Sequence, residues 1–409
     1  MIRAGVGFSN ALNPKTAAGE ATAAAMQEAG MAQAQAALCF ATTAYGAAYP
    51  MILRAVGAEA KTREVAGCSS LGVIAREQEI ESGNALVVIV LGGEEIGAHR
   101  FFVPTLRGRG SEVAAEIAAA VRPALRQNNL LCLFADTYNM DAEKLLPALA
   151  RELPHVAVTG GGASEDGSVG ETFVFCGDAV SNNAVSGMLI AGDFDLTIAS
   201  SLACAPVGPP HRVTAVRENV ILELDGRPAY QVFAEAAGPL AADLRRALAF
   251  VFLAVPMDAS ADKIERGKFL VRNIVGASEE HGALAVAHHP QKGDTVGLVL
   301  RDAERARNNL KETLEDLRTR LVTAPALGLY FDCVSRGSGL YNIPGHDSAY
   351  IRQYLGEIPI GGFFTGFEIG PAGEHTALLQ YSGVLAFISA RTPKSRCPLA
   401  CNPEMLSGT

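Results

Sequence analysis

A guanidinium, a thiol and a carboxylate stand within one short region near the C-terminal end of the chain. Arg336 lies in Ser335-Arg336-Gly337-Ser338-Gly339, a loop flexible enough to wrap a ligand. Its planar fork matches a carboxylate through two parallel hydrogen bonds. Glu368 can take an ammonium group, so the two residues supply the minimum chemistry for holding an amino acid. The alternative is that Arg336 and Glu368 pair with each other across the turn as plain structure. Cys333 raises the question of a nucleophile, because a neighbouring guanidinium lowers a thiol pKa. A nucleophile also needs a base, and His346 is the nearest candidate in sequence. The plainer reading is that Cys333 ends a buried strand, as free cysteines commonly do.

Other polar groups carry less. Asp347 reads as the N-cap of a helix whose apolar face is Ile351, Tyr354 and Leu355, with Gly356 at its end. His288 and His289 adjoin Pro290 and fit an exposed turn. There is no Walker-type phosphate loop, no zinc-protease helix and no Gly-x-Ser-x-Gly elbow, so the standard hydrolase chemistries are not indicated.

The stretch that must position Arg336 and Glu368 runs from Ile358 to Pro371. Apolar β-formers lead into Gly361-Gly362, and Phe, Thr, Gly, Phe and Glu follow before Gly370-Pro371. Glycine weakens a strand unless a bend or a close approach needs the missing Cβ. Gly362 and Gly366 therefore mark a backbone that something approaches, with Thr365 and Glu368 beside the opening.

That arrangement is one of three. A strand at Ala36 to Phe40, a helix and Val65-Ala66-Gly67 form the first copy; Leu130 to Phe134, a helix and Val156 to Gly160 form the second. Leu329 to Cys333, a helix and Ile360-Gly361-Gly362 form the third. Cys39 precedes Gly67 by 28 positions, Cys132 precedes Gly160 by 28, and Cys333 precedes Gly362 by 29. The pattern reads as a repeated β-α-β-β unit whose glycine turns converge on a shared cleft. The fold class is then α/β in the mixed α+β sense, with two sheet-and-helix domains.

Cys204-Ala205-Pro206-Val207-Gly208-Pro209-Pro210 reads as a linker, since three prolines in five residues cannot continue a helix or a central strand. This places domains at 1–205 and 206–392 and a flexible tail at 393–409. A hairpin of His211 to Val216 and Val220 to Leu224 follows. The long helix beginning at Asp302 carries Leu310, Leu314, Leu317 and Leu321 on one stripe.

Ile358 to Pro371, with Phe331-Asp332-Cys333-Val334-Ser335-Arg336-Gly337 and Asp225-Gly226-Arg227-Pro228-Ala229, resembles the C-terminal half of the FIST family. Val65-Ala66-Gly67-Cys68-Ser69-Ser70-Leu71-Gly72 stands where that family has its Gly-Cys-Ser-Thr-like turn, and the resemblance spans about residue 25 to about 390. It implies an intracellular sensory module that binds a small ligand, with amino acids proposed. It also brings in Cys68, Ser69 and Ser70 as pocket residues. Some relatives are linked to haem and nitric oxide sensing, so a haem-based sensor stands as one alternative and an enzyme using Cys333 or Glu368 as another.

Composition sets outer limits. With 49% hydrophobic and 19% charged residues over 409 positions, the chain is that of a packed globular protein of about two domains. A net charge of −9 with scattered Lys and Arg argues against nucleic acid and anionic membrane as partners. Ala29 to Leu53 lacks charge but is Ala-rich and interrupted by Gly46 and Pro50, so it reads as a buried strand with its neighbours. The start lacks a signal-peptide pattern, which points to the cytoplasm. Eight dilute cysteines indicate no disulfide scaffold and no metal site. No cofactor is indicated by the residues themselves. No output segment is recognisable, so a signalling protein in trans or a change of homo-oligomer would carry the signal.

Overall fold

The computed structural model describes residues 1–391 apart from Ala259 and Arg266. The expected tail, with Cys397 and Cys401, falls outside the described residues.

Three sheets share one plan. In the first, Arg3–Ser9, Leu86–Gly92, Ala36–Thr42 and Val65–Ser70 lie side by side, and only the last pair is parallel. Ile96–Pro104, Ala184–Gly192, Asn128–Ala135 and Ala157–Gly162 repeat this order in the second. Phe194–Leu202, Ser382–Ala390, Pro325–Cys333 and Ile360–Thr365 repeat it in the third. A parallel pair needs a crossover, and here the helices Tyr49–Ala60, Ala142–Glu152 and His346–Leu355 supply it.

The units are laced together by a cyclic exchange. The hairpin Val73–Ala75 with Gln78–Ile80 leaves the first unit and extends the third sheet. Val174–Cys176 with Ala179–Ser181 leaves the second unit for the first sheet. Glu368–Ala372 with His375–Leu379 leaves the third unit for the second sheet. The second and third sheets therefore draw strands from both sides of residue 205.

Gly67, Gly160 and Gly362 hold equivalent places, inside strands rather than in turns. They face Cys39, Leu133 and Tyr330 of the parallel neighbour. A Cβ on them would stand 1.8, 2.1 and 1.7 Å from the carbonyl oxygens of those three residues, so the twisted parallel pair admits only glycine. The cysteines chosen from spacing are not equivalent: Cys132 stands one residue before the partner of its glycine and Cys333 three beyond. The strands converge, but the space between them is filled. Phe40, Phe134 and Phe331 follow the glycine-facing residues; Phe40 meets Phe134 and Phe331 edge to face with centroids 5.1 and 6.5 Å apart, Phe134 and Phe331 are tilted at 6.1 Å, and Phe363 stacks on Phe40 at 4.5 Å.

Beyond the rings, backbone bonds pass around the axis from unit to unit. Ser69 N–H donates to Phe173 O, Gly162 N–H to Phe367 O and Phe364 N–H to Gly72 O. Ser164 N–H and Gly366 N–H then reach Ser69 O and Gly162 O. At the third corner the Ser164 hydroxyl intervenes, accepting from Leu71 N–H at 2.8 Å and donating to Phe364 O.

Between Phe194–Leu202 and Pro325–Cys333 an eight-stranded sheet is inserted, covered by the helices Ala229–Ala237 and Leu244–Phe250. Its strand Cys204–Arg217 runs through the segment expected to be a linker. Pro209 and Pro210 are accommodated because the register against Thr295–Arg301 shifts between Val207 and His211, where ladder bonds are not required, while Pro206 stands in register opposite Val299. The hairpin with Val220–Leu224 is as expected. The helix Ala303–Arg320 is capped by the Asp302 side chain and buries Leu310, Leu314 and Leu317. Among the described residues, no helix is long and apolar enough to cross a membrane.

Candidate functional site

Pro325–Cys333 ends in Asp332 and Cys333, and the chain then turns so that Arg336 folds back under the strand it has just left. Gly337 makes the turn possible: its φ is +57°, and a Cβ there would stand 2.6 Å from the Glu81 carboxylate. Arg336 is completely buried. It does not meet Glu368. Its Nε lies 2.7 Å from Asp332 Oδ1, and its Nη2 lies 2.5 Å from Asp347 Oδ2 and 3.1 Å from the Tyr341 hydroxyl. Tyr330 adds its hydroxyl at 2.8 Å from Asp347 Oδ2 and 3.0 Å from Asp332 Oδ1.

One guanidinium thus faces two carboxylates, and they divide the labour. Burial pushes Asp332 well above the usual carboxylate range, with Arg336 offsetting only part of it and Asp347 adding to it. Burial also opposes the charge on Asp347, but Arg336, His346 and Tyr330 together outweigh it and hold Asp347 well below that range. Of the two, Asp347 is the carboxyl whose charge the guanidinium favours, and Asp332 the one whose charge burial opposes. Asp347 is therefore not a helix cap; Gly345 occupies that position. His346 stacks on Tyr341 at 3.6 Å and accepts from Arg307 Nε at Nε2, so its Nδ1 carries the hydrogen that Asp347 Oδ1 accepts.

Three acids from the first unit close the far side. In Glu77-Gln78-Glu79-Ile80-Glu81, alternate residues point one way along the strand, as period two requires. Glu77 pairs with Arg352, Glu79 Oε1 accepts Ser348 N–H at 2.6 Å, and Glu81 accepts Ser338 N–H at 2.8 Å and its hydroxyl at 3.0 Å. Burial, then the Asp347 charge, pushes the Glu79 carboxyl up to about 7, although its Ser348 bonds pull the other way. Four polar atoms of this buried region have no hydrogen-bond partner: Asp332 Oδ2, Arg336 Nη1, Glu79 Oε2 and Ser348 Oγ. Ser348 Oγ lies beside the Glu79 carboxylate without making a well-directed bond.

Glu368 forms a second centre. Its Oε1 accepts from Thr365 Oγ1 at 2.6 Å, and its Oε2 accepts from Ser382 N–H at 3.1 Å and Ser382 Oγ at 2.5 Å. Burial pushes it up to about 7 against these bonds. Tyr381, next to Ser382, has a φ of +56°, which is costly for an aromatic residue; it stacks on Phe252 at 4.1 Å and donates to Asn273 Oδ1 at 2.6 Å. Cys333 is buried near Glu368, and both burial and that carboxylate push its thiol far up. A thiol so placed is no nucleophile at neutral pH.

The N-terminal candidates sit elsewhere on the same axis. Burial raises the Cys68 thiol well above its ordinary range. Ser69 Oγ accepts Phe173 N–H at 3.0 Å, and Ser70 Oγ has no partner. Gly362 is a packing position, and Gly366 N–H is part of the ring of bonds around the axis.

A cleft of about 280 Å³ opens beside the Arg336 centre, lined by Ser348, Ile351, Arg352, Ile358, Ile360 and Arg76 among others. A wider cavity of about 730 Å³ lies far along the chain from these groups, at Gln33, Lys61, Gly93 and Arg126.

Residues 35–227 match the FIST N domain and residues 229–371 the FIST C domain. This chain belongs to the FIST family. Uncharacterized proteins of Mycobacterium tuberculosis are 29% identical to this FIST protein over 94% of its length and 99% of theirs. One of Mycobacterium bovis is 28% identical over 94% of this chain and 98% of its own. One of Methanocaldococcus jannaschii is 27% identical over 41% of this chain and 34% of its own. Among solved structures, cyanuric acid hydrolase from A. caulinodans aligns with 47% of this chain and 70% of its own at 11% identity, with a TM-score of 0.25. FIST domains are associated with small-ligand sensing and signal transduction. Of the motif segments quoted above, Phe331 to Gly337 and Ile358 to Pro371 carry the Arg336 and Glu368 centres, whereas Glu77, Glu79 and Glu81 lie outside every quoted segment; the trace of their role in the sequence is the alternation of acids.

Proposed function

We propose that this protein is a cytoplasmic sensor of a small ligand, an amino acid or a related metabolite, and that it signals to a separate protein or through a change in its own assembly. The observation that carries the reading is the set of four unpartnered polar atoms, buried around Arg336 and next to an open cleft. Buried polar groups are nearly always satisfied, so a cluster of orphans marks a place that a ligand or water completes. Ser348 lines the cleft, and its chain neighbour Asp347 is the anion on which Arg336 depends. A ligand at Ser348 therefore bears on the ion network joining the 1–205 and 206–392 parts of the chain.

The amino-acid grip read from the sequence changes in form. Nε and Nη2 of Arg336 are engaged by Asp332 and Asp347, so a ligand carboxylate has only Nη1 to meet. The haem alternative gains nothing from His346, whose two ring nitrogens are both engaged. The enzyme alternative loses its thiolate at Cys333.

A thermal-shift screen over amino acids, small metabolites and haem tests the reading, since a ligand specific for the native state raises the unfolding midpoint by mass action. The expected hit is a small polar metabolite. Stoichiometric haem with a Soret band, and no shift from any metabolite, would replace this reading by gas sensing.

A further inference from the structure

Basic residues that are scattered in the sequence are gathered by the fold on one face. Three depressions run into one another there. The wide cavity of about 730 Å³ shares Gly97, Ala98 and Arg126 with a neighbour of about 220 Å³, and Thr62 and Arg63 with another of about 250 Å³. Arg54, Lys61, Arg63, Arg100 and Arg126 line this groove, against the two acids Glu94 and Asp178. None of the five cations is in an ion pair among the described residues. On a chain of net charge −9, the groove is a local reversal of sign.

The groove follows the outer edge of Ile96–Pro104, the last strand of the second sheet. Each unit ends its sheet in such a strand, and in the other two a helix covers the edge. On Arg3–Ser9, Val6 N–H donates to Glu28 of the helix Pro14–Ala29. On Phe194–Leu202, Asn309 accepts Leu202 N–H and Arg320 donates to Ile198 O, both from the helix Ala303–Arg320. On Ile96–Pro104 no helix residue does this: Glu64 takes Arg100 N–H at 2.7 Å, and Arg109 reaches Pro104 O at 3.3 Å. Alternate residues of an antiparallel strand face opposite edges, so Ala98 turns its N–H and C=O outward with those of Arg100, and no described residue meets them. Arg126 lies across the same strand, its Nη2 3.0 Å from where a Cβ on Gly97 would stand.

We propose that this groove docks an extended acidic segment of a partner protein, laid along the free edge at Ala98 with its carboxylates against Lys61, Arg63 and Arg126. The proposal goes beyond ligand binding and stands or falls apart from it, since the groove and the Ser348 cleft share no lining residue. An open strand edge is a template for another strand, and charges of opposite sign select which strand is admitted. A phosphate chain has no backbone N–H to offer Ala98 O. The lining residues include no Phe or Tyr, so the bases of a single-stranded nucleic acid would have no ring to stack on.

Fluorescence anisotropy of the full chain with a labelled peptide of alternating Glu and Thr tests this, beside the same peptide with Gln for Glu and a labelled oligothymidylate. The acidic peptide should bind, and the Gln peptide should not. Lys61→Glu and Arg126→Glu should each weaken binding several-fold and together about tenfold or more, with melting curves reporting that these variants of exposed residues are folded. Methylating the peptide's backbone nitrogens at every second residue removes the donors on one edge and keeps the charge. Methylation in one of the two phases should weaken binding about tenfold. Binding indifferent to methylation in both phases would overturn the strand docking. Oligothymidylate that binds more tightly than the peptide and is lost in the double variant would overturn the peptide class in favour of nucleic acid. Acidic-peptide binding unchanged in the double variant, or none at all, would overturn the site.

Discussion

Glu79 Oε1 accepts the Ser348 amide at 2.6 Å, although the two residues are 269 positions apart in the chain. The bond ties the hairpin exchanged by the first unit to the first turn of the third unit's crossover helix, where a carboxylate also meets the positive end of the helix dipole. On either side, Glu77 to Arg352 and Glu81 to Ser338 repeat the tie. A ligand bound at Ser348 would therefore be felt by both parts of the chain at once.

Arg336 is a structural ion, paired with Asp332 and Asp347. Arg336→Ala should leave Asp347 charged and buried without a partner and destabilise the fold by roughly 3 to 5 kcal/mol, with Asp347→Ala in the same chain recovering part of the loss. Denaturant unfolding of both single variants and the double variant measures this. Equal, additive losses would show that the two residues do not interact energetically.

The Glu368 carboxyl has a folded pKa of about 7 against an ordinary value of 4.5, so the folded state holds this proton more tightly than the unfolded chain. Its contribution to stability is fully present below about pH 4.5 and is lost as pH rises through 7. Glu368→Gln should remove that slope, worth about 3 kcal/mol across the interval, and leave a flatter stability curve than the parent. Urea melts of the two proteins at half-unit steps from pH 5 to 8 decide it; parallel curves would refute the assignment.

The three repeat glycines should fail alike. Alanine at Gly67, Gly160 or Gly362 meets a carbonyl oxygen at 2.1 Å or less and should cost roughly 3 kcal/mol each. Gly19, in the Pro14–Ala29 helix with nothing within 4 Å of its Cβ position, should instead gain about 0.5 to 1 kcal/mol as alanine. Thermal unfolding of the four variants gives the ranking.

The repeat is legible in the sequence because a parallel pair with a helical crossover demands an apolar strand, a helix and a second strand at a nearly fixed distance. A glycine is added wherever twist brings the neighbouring carbonyl too close. Its register is not legible through cysteine, which fills apolar space at many positions and is tied to none. The exchanged hairpins are hidden for a different reason. Val73–Ala75 and Gln78–Ile80 are three residues each, too short to show an alternation that names a partner sheet. Arg336 and Glu368 stand out as residue types, but their real partners do not, since Asp332, Asp347, Thr365 and Ser382 are chosen by how four chain segments meet. The prolines at 206, 209 and 210 read as a break because nothing local indicates that a register shift will absorb the last two and that the first will stand within the ladder.

Ser164 offers a test of the axis itself. Its hydroxyl replaces a direct backbone bond between Leu71 N–H and Phe364 O. Ser164→Ala leaves both groups unpaired in a buried place and should cost roughly 1 to 3 kcal/mol. Ser164→Thr, which keeps the hydroxyl, should lose less if the added methyl is accommodated. Unfolding midpoints that do not distinguish alanine from threonine would mean that the bridge contributes nothing.

Hydrogen exchange read by mass spectrometry, with and without a ligand that raises the midpoint, tests the central claim most directly. Binding at the cleft predicts slowed exchange in the peptides covering 76–81 and 346–360, with the segments around Gln33, Lys61 and Arg126 unchanged. Protection confined to those latter segments, at the wider cavity, would contradict the account and move the sensing site away from Ser348 and Glu79.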